Sequence, residues 1–255
     1  MKNRLQYPAI FLSAIVMIIL VAAVNPFQQK KSKDKTAVAD TLTTNALGKG
    51  PALTVLFTKG ISHNHPLMAV WVEDTQGNYI QTLYVAQSIA TGIFNRGDNS
   101  SGQWTKGQVR RPAALPYWSH KRGVVAEDGF YLPTPENPVP DAYSGATPKN
   151  DFILNTRLDK PISQPFNVLL EINQPWDWND YWTNAKYIDD YEYKSSAQPA
   201  VIYQASIDLN SNAKEFEMKV IGHGHYSGKD GQLYPDVTTL TSALEIAGKI
   251  VVKVD

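Results

Sequence analysis

Apolar and polar positions divide the chain into three stretches. Residues 9–24 form an unbroken run of 16 in which Ser13 is the only polar one. A helix packed on a soluble core alternates an apolar stripe with a polar face, and this run does not. Residues 25–50 are mostly polar, first lysine-rich (QQKKSKDK) and then rich in Thr, Ala, Asp and Asn, which predicts a flexible tether. From Pro51 onward, short apolar runs alternate with turn formers. LTVLFT (53–58) reads as a strand, and MAVWVE (68–73) and YIQTLYVA (79–86) flank a polar, Gly-containing turn as in a hairpin. FNVLLEIN (166–173), AVIYQASID (200–208), EFEMKVIG (215–222) and KIVVKV (249–254) add four more strands. In EFEMKV, Phe216, Met218 and Val220 alternate with charged residues, which predicts one buried face. The one helix candidate is short, at 239–247. Regularly spaced short strands with few helices predict an all-β fold, an immunoglobulin-like β-sandwich over 51–255. Between Ser88 and Lys160 periodicity is weak, and a loop region of that length inside a domain usually carries function.

The 9–24 run follows Lys2 and Arg4, the basic start of an export signal or a short membrane anchor, so 1–24 is read as one of the two. At about 1.5 Å per residue the run is slightly short of the roughly 30 Å hydrocarbon core. Positive charge stays inside, so either outcome exports the rest of the chain.

Composition narrows the chemistry. With 43% hydrophobic residues the chain can fold, and with 24 basic against 24 acidic residues it lacks the basic excess of a nucleic-acid binder. No cysteine is present, which excludes disulfides, thiolate catalysis, Fe–S clusters, thiolate zinc sites and a lipidated cysteine anchor.

Inside the weakly periodic region, after PTPENPVP, lies Asp141-Ala142-Tyr143-Ser144-Gly145-Ala146-Thr147. The order Asp, any two, Ser/Thr, Gly, Ala, Ser/Thr resembles the acceptor motif for covalent flavinylation. There a flavin transferase joins the phosphate of FMN to the last hydroxyl, which maps to Thr147. The residue types suit that chemistry: Thr147 supplies the hydroxyl, Gly145 and Ala146 leave the backbone open to another enzyme, and Asp141 and Ser144 can shape the turn. The same stretch is rich in turn formers and also reads as an ordinary surface turn.

MAVWVEDTQGNYIQTLYV, DAYSGAT and the closing strands together resemble a family of predicted periplasmic proteins, domain-of-unknown-function family 2271, over about residues 51–255. The resemblance implies covalent FMN on Thr147, a flavin transferase that attaches it, and a PepSY-type transmembrane reductase as electron donor. It also implies a place in the periplasm or on the outer face of the inner membrane. Ser144 stands where Thr is common in the family.

A flavin ring needs a tuned environment. Trp176, Trp178, Tyr181 and Trp182 in QPWDWNDYWTN could stack on it, or could plug one end of the sandwich. Trp104, Tyr117 and Trp118 are further candidates, and Arg110 and Arg111 could pair with a phosphate. His223 and His225 lie two apart, as do His63 and His65; on a strand each pair would share a face and could bind metal, or His223 or His225 could donate to the flavin. Three readings stay open: an electron carrier, a binding module using the tryptophan loop, and a histidine-based metal-binding protein. There is no G-x-S-x-G elbow, Gly-rich phosphate loop or EF-hand.

Overall fold

A computed structural model describes residues 39–254. The expected signal or anchor, and the tether up to residue 38, lie outside the described residues. No helix among the described residues is long and apolar enough to cross a membrane.

In chain order the elements are β1 (Asp40–Thr43), β2 (Ala52–Lys59), β3 (Leu67–Asp74), β4 (Tyr79–Ala86), α1 (Gln87–Thr91), β5 (Ile93–Asp98) and β6 (Thr105–Gln108). Then come α2 (Pro116–Arg122), β7 (Ser144–Gly145), β8 (Phe152–Arg157), β9 (Phe166–Asn173) and α3 (Tyr191–Ser196). The last are β10 (Val201–Ile207), β11 (Glu215–Glu217), β12 (Lys219–His223) and β13 (Ala247–Val254). One sheet runs β1-β8-β2-β13-β11, a second β12-β10-β9-β3-β4-β7, and β5-β6 make a separate ribbon. Pairing is antiparallel except β1 with β8 and β4 with β7.

The two large sheets share one core. Val55 and Phe57 of β2, Leu154 of β8 and Val252 of β13 meet Val70, Val168, Leu170 and Val201 of the second sheet. Burial of such side chains, worth about 1.5–3 kcal/mol each, is what holds the layers together. The second sheet is buried on both faces. In β3, Met68, Val70 and Val72 point into the shared core, whereas Ala69 and Trp71 belong to a second core with Leu169, Ile202, Leu115 and Trp118. A strand covered on both sides loses its polar positions, which is why MAVWVE does not alternate.

The outer face is covered by the weakly periodic region, which includes α1 and α2. Its register is set by buried polar pairs. Glu171 of β9, fully buried, accepts from the backbone N–H of Tyr117 (3.1 Å) and Trp118 (2.7 Å) at the start of α2. Burial raises the Glu171 carboxyl to about 8. Trp118 Nε1 donates to Thr82 (3.0 Å), and Lys121 reaches buried Glu73 at 3.6 Å.

Several expectations are corrected. Order begins before Pro51: β1 pairs with β8, and the buried Thr44 hydroxyl donates to Leu83 O at 2.7 Å, so the last part of the expected tether belongs to the sandwich. The stretch 215–222 is two strands. β11 pairs with β13 in one sheet and β12 with β10 in the other, while buried Met218 sits at the crossing. Changing sheets breaks the alternation, and Val220 is exposed. At 239–247 only a 3₁₀ turn (Ser242–Glu245) forms before β13 begins. The helices are α1, α2 and α3 instead, and the region read as loop is the cover of the second sheet.

Candidate functional site

The flavinylation-like stretch is a 3₁₀ turn (Asp141–Tyr143) running into β7. Backbone bonds shape it: Tyr143 N donates to Pro140 O, and Ser144 N to Asp141 O. The Asp141 side chain is exposed and takes no part among the described residues, so the shaping role expected of it falls to the main chain. Three outside groups hold the turn in place. Asn45 N donates to Ala142 O (2.9 Å), and the Tyr143 hydroxyl donates to Asp159 (2.8 Å). The Tyr84 hydroxyl, whose pKa is pushed up by burial, donates to Ala146 O (2.9 Å) and, more weakly, to Gly145 O (3.3 Å).

Ser144 and Gly145 pair in parallel with Val85 and Ala86 at the edge of the second sheet. A Cβ at Gly145 would stand 3.3 Å from the Tyr84 ring, so this position favours glycine. Ala146 is exposed, Thr147 is half-buried, and buried Pro148 closes the stretch. The Thr147 hydroxyl makes no hydrogen bond within the described residues.

Thr147 lies on the wall of a cleft of about 450 Å³, inside the roughly 300–1,000 Å³ range of small-molecule sites. Gln87, Ser88 and Thr91 of α1 line it, with Ile93, Asn95 and Lys106 of the β5–β6 ribbon. His65 and Lys149 complete the wall with Ala146. Its ionisable side chains are thus two lysines and a histidine, with no carboxylate. Apart from Ala146 and Lys149, these residues come from α1, β5, β6 and the β2–β3 turn, which no spacing rule connects to Thr147.

Of the predicted site residues outside the 141–147 stretch, His65 lines this cleft and the rest do not. Trp176 lines a second cleft on the β5–β6 ribbon. Trp178 meets Tyr193 edge-on at 5.7 Å, and buried Trp182 packs on Tyr193, Tyr226 and His223, so these two plug an end of the sandwich. His223 ends β12 and stacks on Tyr234 at 5.5 Å. His225 follows in a turn, stacks on Tyr226 at 4.4 Å and accepts from Ser227 N; burial lowers its pKa. His63 and His65 lie in the β2–β3 turn, not on a strand, and His65 has φ +55°. No group of three potential metal ligands occurs among the described residues. Trp118 and Tyr117 are buried in the cover, and Arg110 is consumed by Asp128 (2.6 Å) and the Leu132 and Pro133 carbonyls.

No protein-family model, curated protein or solved structure matches the chain.

Proposed function

We propose that the protein is an extracytosolic electron carrier bearing FMN in phosphoester linkage on Thr147. One observation carries the reading: a half-buried hydroxyl with no hydrogen-bond partner among the described residues stands in a cleft whose ionisable walls are all basic. A hydroxyl acceptor needs to be free, and the phosphate it takes on is an anion, which Lys106, Lys149 and His65 are placed to favour. The flanking residues suit modification by another protein. Asp141 and Ala146 are exposed, while Tyr84, Asn45 and Asp159 hold the strand without covering Thr147.

When bound, FMN supplies one- and two-electron chemistry. The chain's own part is to hold the phosphate and restrict where the ring can go. In this reading a flavin transferase loads Thr147, a PepSY-type transmembrane reductase supplies electrons, and the N-terminal segment keeps the domain at the outer face of the inner membrane. Two mainly antiparallel sheets around one core support the immunoglobulin-like reading of the sandwich.

The test is the intact mass of the exported chain made with an active flavin transferase. A gain of about 438 Da, FMN less water, is expected. Thr147→Ala should lack it. An unmodified wild-type mass, with the transferase proven active on another substrate, would overturn the proposal.

A further inference from the structure

A second cleft, of about 670 Å³, is lined in part by Gln108, Arg111, Trp104, Trp176 and Glu192. It uses Arg96 and Gly97 of β5, whereas the Thr147 cleft uses Ile93 and Asn95, so the ribbon contributes different residues to each.

Two charged side chains in this cleft lack partners. Arg111 is mostly buried, yet its Nε and Nη1 meet no acceptor among the described residues. Glu192 Oε2, on α3, is likewise buried and unpaired. The two are close enough to influence each other's charge, but they form no ion pair within 4.0 Å. An unpaired buried ion is costly, and each loses solvation with no hydrogen-bond partner among the described residues to replace it. The other polar atoms of these groups, Arg111 Nη2 and Glu192 Oε1, are not enclosed in this way and have no partner among the described residues, so a ligand edge offering an acceptor to Arg111 and a donor to Glu192 would give each side chain a partner there.

The cleft also displays aromatic surface. Trp104 and Trp176 are each 60% exposed. Arg111 sits between Phe94 and Trp176, 5.0 and 5.7 Å from their centroids. Trp176 is held at φ +58°, a region bulky residues avoid, and Ala197 at φ +74°, where Asp177 bridges to Ala197. This strain wins no burial for Trp176, and backbone strain of this kind concentrates at ligand clamps.

We propose that this cleft binds a flat heteroaromatic ring with an amide edge, a C=O beside an N–H, stacked against Trp176 and Trp104 with that edge between Arg111 and Glu192. The pyrimidinedione edge of an isoalloxazine has this pattern. The site stands independently of Thr147, because it recognises a ring and no phosphate.

Riboflavin, which has no phosphate, is the probe, titrated into full-length Thr147→Ala protein made without a transferase. The expected result is saturable quenching of flavin fluorescence. Trp176→Ala should weaken binding about tenfold or more. N3-methylriboflavin, which lacks the donor for Glu192, should bind about tenfold more weakly. That difference should vanish in Glu192→Met, a loss that a nonspecific stacking site would not show. No saturable binding up to about 1 mM, or binding indifferent to Trp176→Ala and to N3 methylation, would overturn the proposal. Neither result bears on whether Thr147 carries FMN, which the mass measurement decides separately.

Discussion

The Thr147 cleft and the Trp176 cleft share the β5–β6 ribbon but are built on different principles. From Asp141 to Pro148 no residue has a positive φ, the side chains from Ser144 to Thr147 are small, and the Thr147 hydroxyl has no hydrogen-bond partner among the described residues. Its supports are hydrogen bonds to main-chain carbonyls from Tyr84 and Asn45. At Trp176 the backbone is strained, and polar atoms of Arg111 and Glu192 have no partner among the described residues. Behind that cleft stand the plug of Trp178, Trp182 and Tyr193 and the cover pinned by Glu171. A place to be modified by another enzyme needs access. A place that recognises a ring needs fixed groups, and fixing them takes packing behind the wall.

Four substitutions sharpen this contrast. Trp182→Ala should have the largest effect, about 3–5 kcal/mol in urea denaturation, because it empties the plug beneath α3. Trp176→Ala, six residues earlier but exposed, should cost no more than about 0.5 kcal/mol. Equal losses would show that Trp176 is a packing residue and that the contrast is false.

The next effect is a pH dependence. Glu171 holds its proton to about 8 in the folded chain and loses it near 4.5 in an unfolded one. Between those values the native state binds more protons, so stability falls as pH rises. The decline should total on the order of 3 kcal/mol, read as denaturation midpoints between about pH 5 and about pH 8. Glu171→Gln should remove this dependence. Because Glu171 anchors α2, which begins five residues after Arg111, the high-pH loosening should reach riboflavin binding more than FMN loading.

Tyr84→Phe should have a smaller and local effect than the loss of the Glu171 proton, about 1 kcal/mol from the lost bonds to Ala146 O and Gly145 O. Hydrogen exchange should speed up at residues 144–149 and stay unchanged at 176–182. A change of equal size at both would mean that the clefts are mechanically one.

Much of the sandwich was legible as local pattern. The β3–β4 hairpin, β9, β10 and β13 lie close to where their apolar runs predict. The β8 strand (FILNTR) and β1 (DTLT) carry too short an apolar pattern to stand out, and their order comes from pairing with each other and, for β8, with β2. The EFEMKV stretch misled because alternation describes a strand in one sheet, and this chain changes sheets at Met218.

The candidate site divides in the same way. The DAYSGAT order singles out Thr147 as the proposed acceptor, since a motif of this kind is read as a contiguous segment. Lys149 stands two residues on, but Lys106 and His65 could not be joined to it, because their meeting with Thr147 depends on where the ribbon and the β2–β3 turn are docked. The tryptophan loop shows the limit most plainly. Sequence alone determined that QPWDWNDYWTN is densely aromatic. Only the tertiary structure decided that Trp178 and Trp182 turn inward while Trp176 turns out over Arg111. Side-chain type is a property of the chain, but burial and pairing are set by neighbours far along it, and those neighbours are chosen by how the sheets pack.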